Sequence, residues 1–132
     1  MSYLLDTHYL IWSVADTRKI PKKIIEILSD PSQTILVSSI SFWEISLKFS
    51  LGKLNLSGTT PAEMPGACLK IGFDLIHLSH EDSSTYHLLT ANHHKDPFDR
   101  MLIWQAIRND YTLISSDEII RKYIPDGLKI YS

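Results

Sequence analysis

The stretch "HHKDPFDRMLIWQA", residues 93 to 106, sets two carboxylates, Asp96 and Asp99, at the head of an apolar run. Three further acids stand in comparable positions: Asp6 directly after "YLL", Asp117 directly after "TLISS", and Glu44 inside "SFWEISLK". On a helical wheel Asp99 shares one face with Leu102, Ile103, Ala106 and Ile107, and Glu44 interrupts a stripe of Ile40, Leu47 and Leu51. Both acids are therefore expected to point inward. An isolated charge taken out of water is strongly unfavourable, so acids on core-facing stripes call for a neutralising cation. Each also has a local explanation. Asp96 before Pro97 is a helix N-cap signature that Asp99 would extend into a capping box, Ser41 and Glu44 have capping-box spacing, and Asp6 and Asp117 would cap the helices after their strands.

The elements that must position these acids alternate in type. "SYLLD", "TILVSS", "FDLIHL" and "YTLISS" read as strands, and "LKIYS" as a last, peripheral one. Helical patterns lie over "PKKIIEILSD", "ISFWEISLKFSLGKL", residues 60–71, "EDSSTYHLLTAN", "PFDRMLIWQAIRND" and "DEIIRKYI". Strands separated by helices favour right-handed crossovers and a mainly parallel sheet, giving a three-layer α/β/α fold. Such sheets carry their functional loops at the carboxyl ends of the strands, where Asp6 and Asp117 fall. Trp12 and Trp43, at helical spacing, are expected inside.

Composition narrows the class. A chain of 132 residues with 44% hydrophobic and 21% charged residues suits a single domain over residues 1–132. Its apolar runs are too short to span a bilayer. One cysteine, Cys68, and a start, "MSYLLDTH", without a basic or long apolar leader lead to the expectation of a cytoplasmic protein. The net charge of −2 excludes a globally basic nucleic-acid coat but leaves local patches such as Arg18, Lys19, Lys22 and Lys23 available to phosphates. The six histidines form no HExxH arrangement and no Cys–His set, which argues against zinc.

Four blocks, "YLLDTHYLIW" (3–12), "SSISFWEISLKFSLGKL" (38–54), "HHKDPFDRMLIWQA" (93–106) and "LISSDEII" (113–120), resemble those of PIN-domain nucleases, in the family's order and over nearly the whole chain. More narrowly they resemble the VapC-type ribonuclease toxins of bacterial toxin–antitoxin systems. The resemblance implies a PIN-like α/β/α fold and an acidic cluster at Asp6, Glu44, Asp99 and Asp117, with Asp99 favoured over Asp96 and Asp96 left as cap or second-metal residue. It also implies Mg²⁺ or Mn²⁺, the hard cations that carboxylates hold, an RNA substrate, an antitoxin partner and a homodimer. Thr7 and Ser115 match hydroxyls beside the family's acids, and His94 matches a histidine that often precedes "DPFDR", placed to orient that loop or meet RNA. Arg100 reads as a solvated helix residue pairing with a nearby acid, and Lys48, one turn after Glu44, as that acid's partner or a substrate contact. Trp104 stands where the subfamily carries a small alanine; facing away from Asp99, it bears on packing rather than on the chemistry. Two other functions stay open: a catalytically silent scaffold that binds protein or RNA, and a phosphohydrolase with Asp6 as nucleophile. The second usually needs another acid two residues on, where this chain has His8.

Overall fold

The computed structural model describes residues 1–132. Five parallel strands, β1 (Ser2–Leu5), β2 (Thr34–Ser38), β3 (Asp74–Ile76), β4 (Thr112–Ile114) and β5 (Lys129–Tyr131), form one sheet in the order β3-β2-β1-β4-β5. β1 is therefore central, and the strand order reverses beside it. The last strand is the edge strand the sequence indicates. Seven α-helices connect them: α1 (Thr7–Ala15), α2 (Lys22–Leu28), α3 (Ser39–Ser50), α4 (Met64–Ile71), α5 (His80–Thr85), α6 (Pro97–Asn109) and α7 (Glu118–Arg121). The α1 helix is absent from the elements that the sequence pattern marks. The helix expected over residues 81–92 ends at Thr85 and continues only as a single 3₁₀ turn, Tyr86–Leu88.

Strand alternation builds two cores. Tyr3, Leu5, Ile35, Val37 and Ile114 face one layer with Tyr9, Leu10 and Ile24; Leu4, Leu36 and Leu113 face the other with Leu102, Ile103 and Ile120. Because successive side chains point to opposite faces, each strand is apolar on both and needs helices on both. The α6 stripe is as expected at Leu102, Ile103 and Ala106, with Ile107 partly buried. Trp104 is also buried, on a different side of that helix, and donates its indole N–H to the Thr85 hydroxyl at 3.1 Å.

The α3 stripe differs from expectation. Its buried positions are Ile40, Ser41, Glu44 and Ile45, while Leu47 and Leu51 lie exposed. Trp43 is not a core aromatic: it is 62% exposed and meets only the edge of Phe98, at 5.0 Å between ring centroids. The helix starts earlier than the Ser41–Glu44 spacing suggests, with Ser38 as the N-cap accepting the Ile40 N–H at 3.2 Å. Glu44 faces inward as expected, on a buried face shared with Ile40, Ser41 and Ile45. Trp12 is half-buried, edge-on to Tyr9.

Candidate functional site

The acids collect at the carboxyl edge of the sheet, around the point where strand order reverses. Asp6 leaves β1, its N–H bonded to the Ile114 carbonyl of β4 at 3.1 Å. Its Oδ1 accepts the Tyr9 N–H at 2.9 Å, capping α1. Asp117 follows β4 and caps α7 through the Ile119 N–H at 2.8 Å. In each acid the capping uses only one oxygen: the second oxygen of Asp117 meets the His94 ring, and that of Asp6 takes no part in the cap.

Within "DPFDR" the two acids separate. Asp96 caps α6, its Oδ1 accepting the Phe98 N–H at 2.8 Å and the Asp99 N–H at 3.2 Å. Asp99 does not complete a capping box. Its carboxyl faces Asp117 across the His94 ring, with Nε2 of His94 3.1 Å from Asp99 Oδ2 and 3.0 Å from Asp117 Oδ2. The Asp96 N–H donates to Nδ1 of His94 at 3.2 Å. A neutral imidazole that accepts at Nδ1 carries its proton on Nε2, so His94 sits between the carboxylates as a donor.

His94, Asp99 and Asp117 are brought within 4.8 Å of one another, and they are the residues close enough together to hold one ion as they stand. Asp6 and Glu44 lie outside this group yet act on it. Burial raises the Asp99 carboxyl to about 7, with the charges of Asp96 and Glu44 adding to the effect, Asp6 adding less, and His94 opposing it. Asp6, only 5% exposed, is also raised, chiefly by burial, against the Ser115 hydroxyl and the Tyr9 N–H. For Asp117 burial is outweighed by the Ile119 N–H and by His94, which hold it below the usual carboxylate range.

Glu44 is buried, and one of its oxygens, Oε2, takes the Lys48 ammonium. The other, Oε1, is buried without any hydrogen-bond partner. A buried acceptor left unmatched costs the full desolvation of that group. With raised carboxyls at Asp6 and Asp99 and an orphaned oxygen at Glu44, the all-oxygen donor set suits a hard divalent cation.

The neighbouring polar residues differ in part from expectation. Ser115 does support the acids, its Oγ accepting the Asp117 N–H at 3.1 Å. Thr7 does not bond an acid; its hydroxyl donates to Ser41 Oγ at 3.0 Å, tying α1 to α3 one turn before Glu44. Arg100 is neither solvated nor paired with a carboxylate. Its guanidinium donates to Tyr86 Oη at 2.7 Å, Tyr123 Oη at 2.8 Å, and the Ala91 and Leu89 carbonyls at 2.7 and 2.8 Å. Tyr123 Oη in turn accepts the His94 N–H at 3.0 Å. Arg100 therefore shapes the segment that delivers His94. No spacing in the sequence signals this, because its partners come from two separate segments, residues 86–91 and Tyr123.

A family model described as PIN domain matches residues 3–124. No curated protein sequence matches the chain. Similar solved structures include VapBC-1 from nontypeable Haemophilus influenzae (19% identity, TM-score 0.70, covering 100% of this chain and 98% of that one). VapBC2 from Rickettsia felis bound to a promoter DNA fragment is similar at 17% identity and TM-score 0.69, over 99% and 98% of the two chains. DNA-bound VapBC from Salmonella typhimurium gives 16% identity and TM-score 0.69 over 99% and 97%. At these identities the likeness is one of fold.

Proposed function

The chain belongs to the PIN domain family, and from that premise we propose that it is a metal-dependent endoribonuclease, the toxin of a toxin–antitoxin pair. The observation that carries the reading is the incompletely compensated acid cluster at the strand-order reversal: Asp99 is raised to about 7, with the Glu44 charge contributing, and one buried Glu44 oxygen has no partner. The similarity to VapBC structures supports the toxin role, with an antitoxin as partner.

Asp6, Glu44, Asp99 and Asp117 are the residues that would hold Mg²⁺ or Mn²⁺, with Asp6 and Asp99 the principal ligands and Asp96 the helix cap. The bound ion supplies a polarised water for in-line attack on a phosphodiester and neutralises charge on the phosphate. The chain's own residues fix the geometry. Caps at Asp6 and Asp117 lock the carboxylate rotamers, Lys48 holds Oε2 of Glu44, and Ser115 anchors the turn between β4 and α7 that carries Asp117. Nε2–H of His94 spans Asp99 and Asp117 and keeps those two charges together. A second copy of the chain completes the proposed assembly, covering the exposed α3 stripe of Trp43, Leu47 and Leu51. No specific observation favours the scaffold or the phosphohydrolase.

The test is cleavage of single-stranded RNA by the purified chain. Cutting is expected with Mg²⁺ or Mn²⁺ and should vanish on chelation; activity that survives exhaustive chelation would sink the metal mechanism. Asp6→Asn and Asp99→Asn should each abolish cutting with the circular dichroism spectrum retained. An inactive Asp96→Asn beside an active Asp99→Asn would reverse the assignment within that turn.

A further inference from the structure

Glu44 and Lys48 border a cleft that leads away from the acid cluster. Its inner lobe, about 200 Å³, is lined by Thr7, His8, Glu44, Lys48 and Lys53 among others; the outer, about 360 Å³, by His8, Trp12, Arg18, Lys19 and Asn55. The lobes share His8, Ile11 and Leu54, so they adjoin along the cleft between α1 and the loop that follows α3. Four permanent cations line it against two carboxylates, Glu44 and Asp16, on a chain whose net charge is −2. Lys48 and Arg18 are engaged with those two acids, but Lys19 and Lys53 have no ion-pair partner. His8 is exposed, its ring 6.0 Å from that of Trp12.

We propose that this cleft is a single-stranded RNA track that seats the nucleotides on one side of the phosphate to be cut, which rests on the ribonuclease reading above. Lys19 and Lys53 are the groups that meet phosphates, because an unpaired ammonium gives up no ion pair on doing so. His8, beside Trp12, is the stacking surface for a base; stacking on an aromatic face tolerates any base and needs no base-edge readout. The inner lobe is lined by Glu44 itself, so its occupant lies against one member of the acid cluster. The other groove at this end of the molecule, about 190 Å³ and lined by Ile40, Trp43, Leu78, Pro97, Phe98 and Met101 among others, offers a strand of phosphates nothing.

The experiment measures binding apart from cutting. A short fluorescein-labelled single-stranded RNA is titrated into the full-length Asp99→Asn chain in chelator, by anisotropy, between roughly 50 and 200 mM salt. Lys19→Gln combined with Lys53→Gln should weaken binding about tenfold and flatten the slope of log affinity against log salt by about 1.4, at about 0.7 for each single-strand phosphate no longer neutralised. His8→Ala should weaken it several-fold without changing the slope. Lys129→Gln, on the far edge strand, should change neither. RNA affinity and slope unaltered in the Lys19, Lys53 pair would overturn the proposal. So would a pair that lost a synthetic acidic peptide but kept RNA, since the cleft would then be a peptide groove. If the wild-type chain cuts no RNA with either cation, the ribonuclease reading fails separately, whatever the binding data show.

Discussion

The Asp96 carboxylate accepts two backbone N–H groups, whereas the Asp99 carboxyl, three residues on, bonds none and faces other acids. Its value of about 7 in the fold lies above the 3.8 of an ordinary aspartate. Between those pH values the folded chain holds a proton that the unfolded chain has released, so metal-free stability falls as pH rises from about 4 to about 7. Asp117, held low, works with the opposite sign: its contribution is present above about 4 and is lost as pH falls further. Asp99→Asn should therefore stabilise the metal-free fold at pH 7 by about 1–3 kcal/mol. Urea unfolding in chelator checks this, and the advantage should shrink at pH 4; an equal gap at both would show that Asp99 is not the source. The inward aim of Asp99 was legible from its apolar stripe. The location of His94 between two carboxylates was not, because it depends on a loop path rather than on a period.

At the scale of elements, one side chain from the following helix holds much of the segment from residue 89 to 96. Arg100 of α6 reaches back to two carbonyls and two tyrosine hydroxyls, one of which also receives the His94 N–H. A lysine keeps the charge but not the planar fork. Arg100→Lys should lose about 2 kcal/mol of stability, make residues 89–96 more open to limited proteolysis, and slow RNA cleavage by displacing His94. If the lysine variant cut and resisted protease like the wild type, charge alone would suffice and the stapling role would be wrong. Sequence pattern located α3 and α6 because their apolar periods are strong. It missed α1, where Thr7–Ala15 is apolar nearly all round, and it overextended the helix beginning at residue 80, whose second half turns into 3₁₀ geometry to meet Arg100.

For the molecule as a whole, the order of strands was legible only as a class: alternation implied a parallel sheet, while β1 as the central strand emerges from pairing with both β2 and β4. Exposure of α3 was misjudged for a related reason. An amphipathic wheel shows that a face is apolar, not whether the fold covers it, and here Trp43, Leu47 and Leu51 face outward. Such a stripe is unusual on a lone chain. Sedimentation equilibrium should show self-association that Trp43→Ser weakens several-fold; a wild-type chain that stays monomeric at every concentration would remove the paired assembly.

β1 also sets a timetable. Asp6 is synthesised well before β4, but its N–H is tied to Ile114 and its neighbour in the cluster is Asp117. A nascent chain therefore carries Asp6 without the strand that fixes it and without Asp117 until β4 and the turn after it have been made. The acid cluster at the sheet edge would thus stay unassembled until β4 has joined β1, so whatever it does begins only with the folded chain.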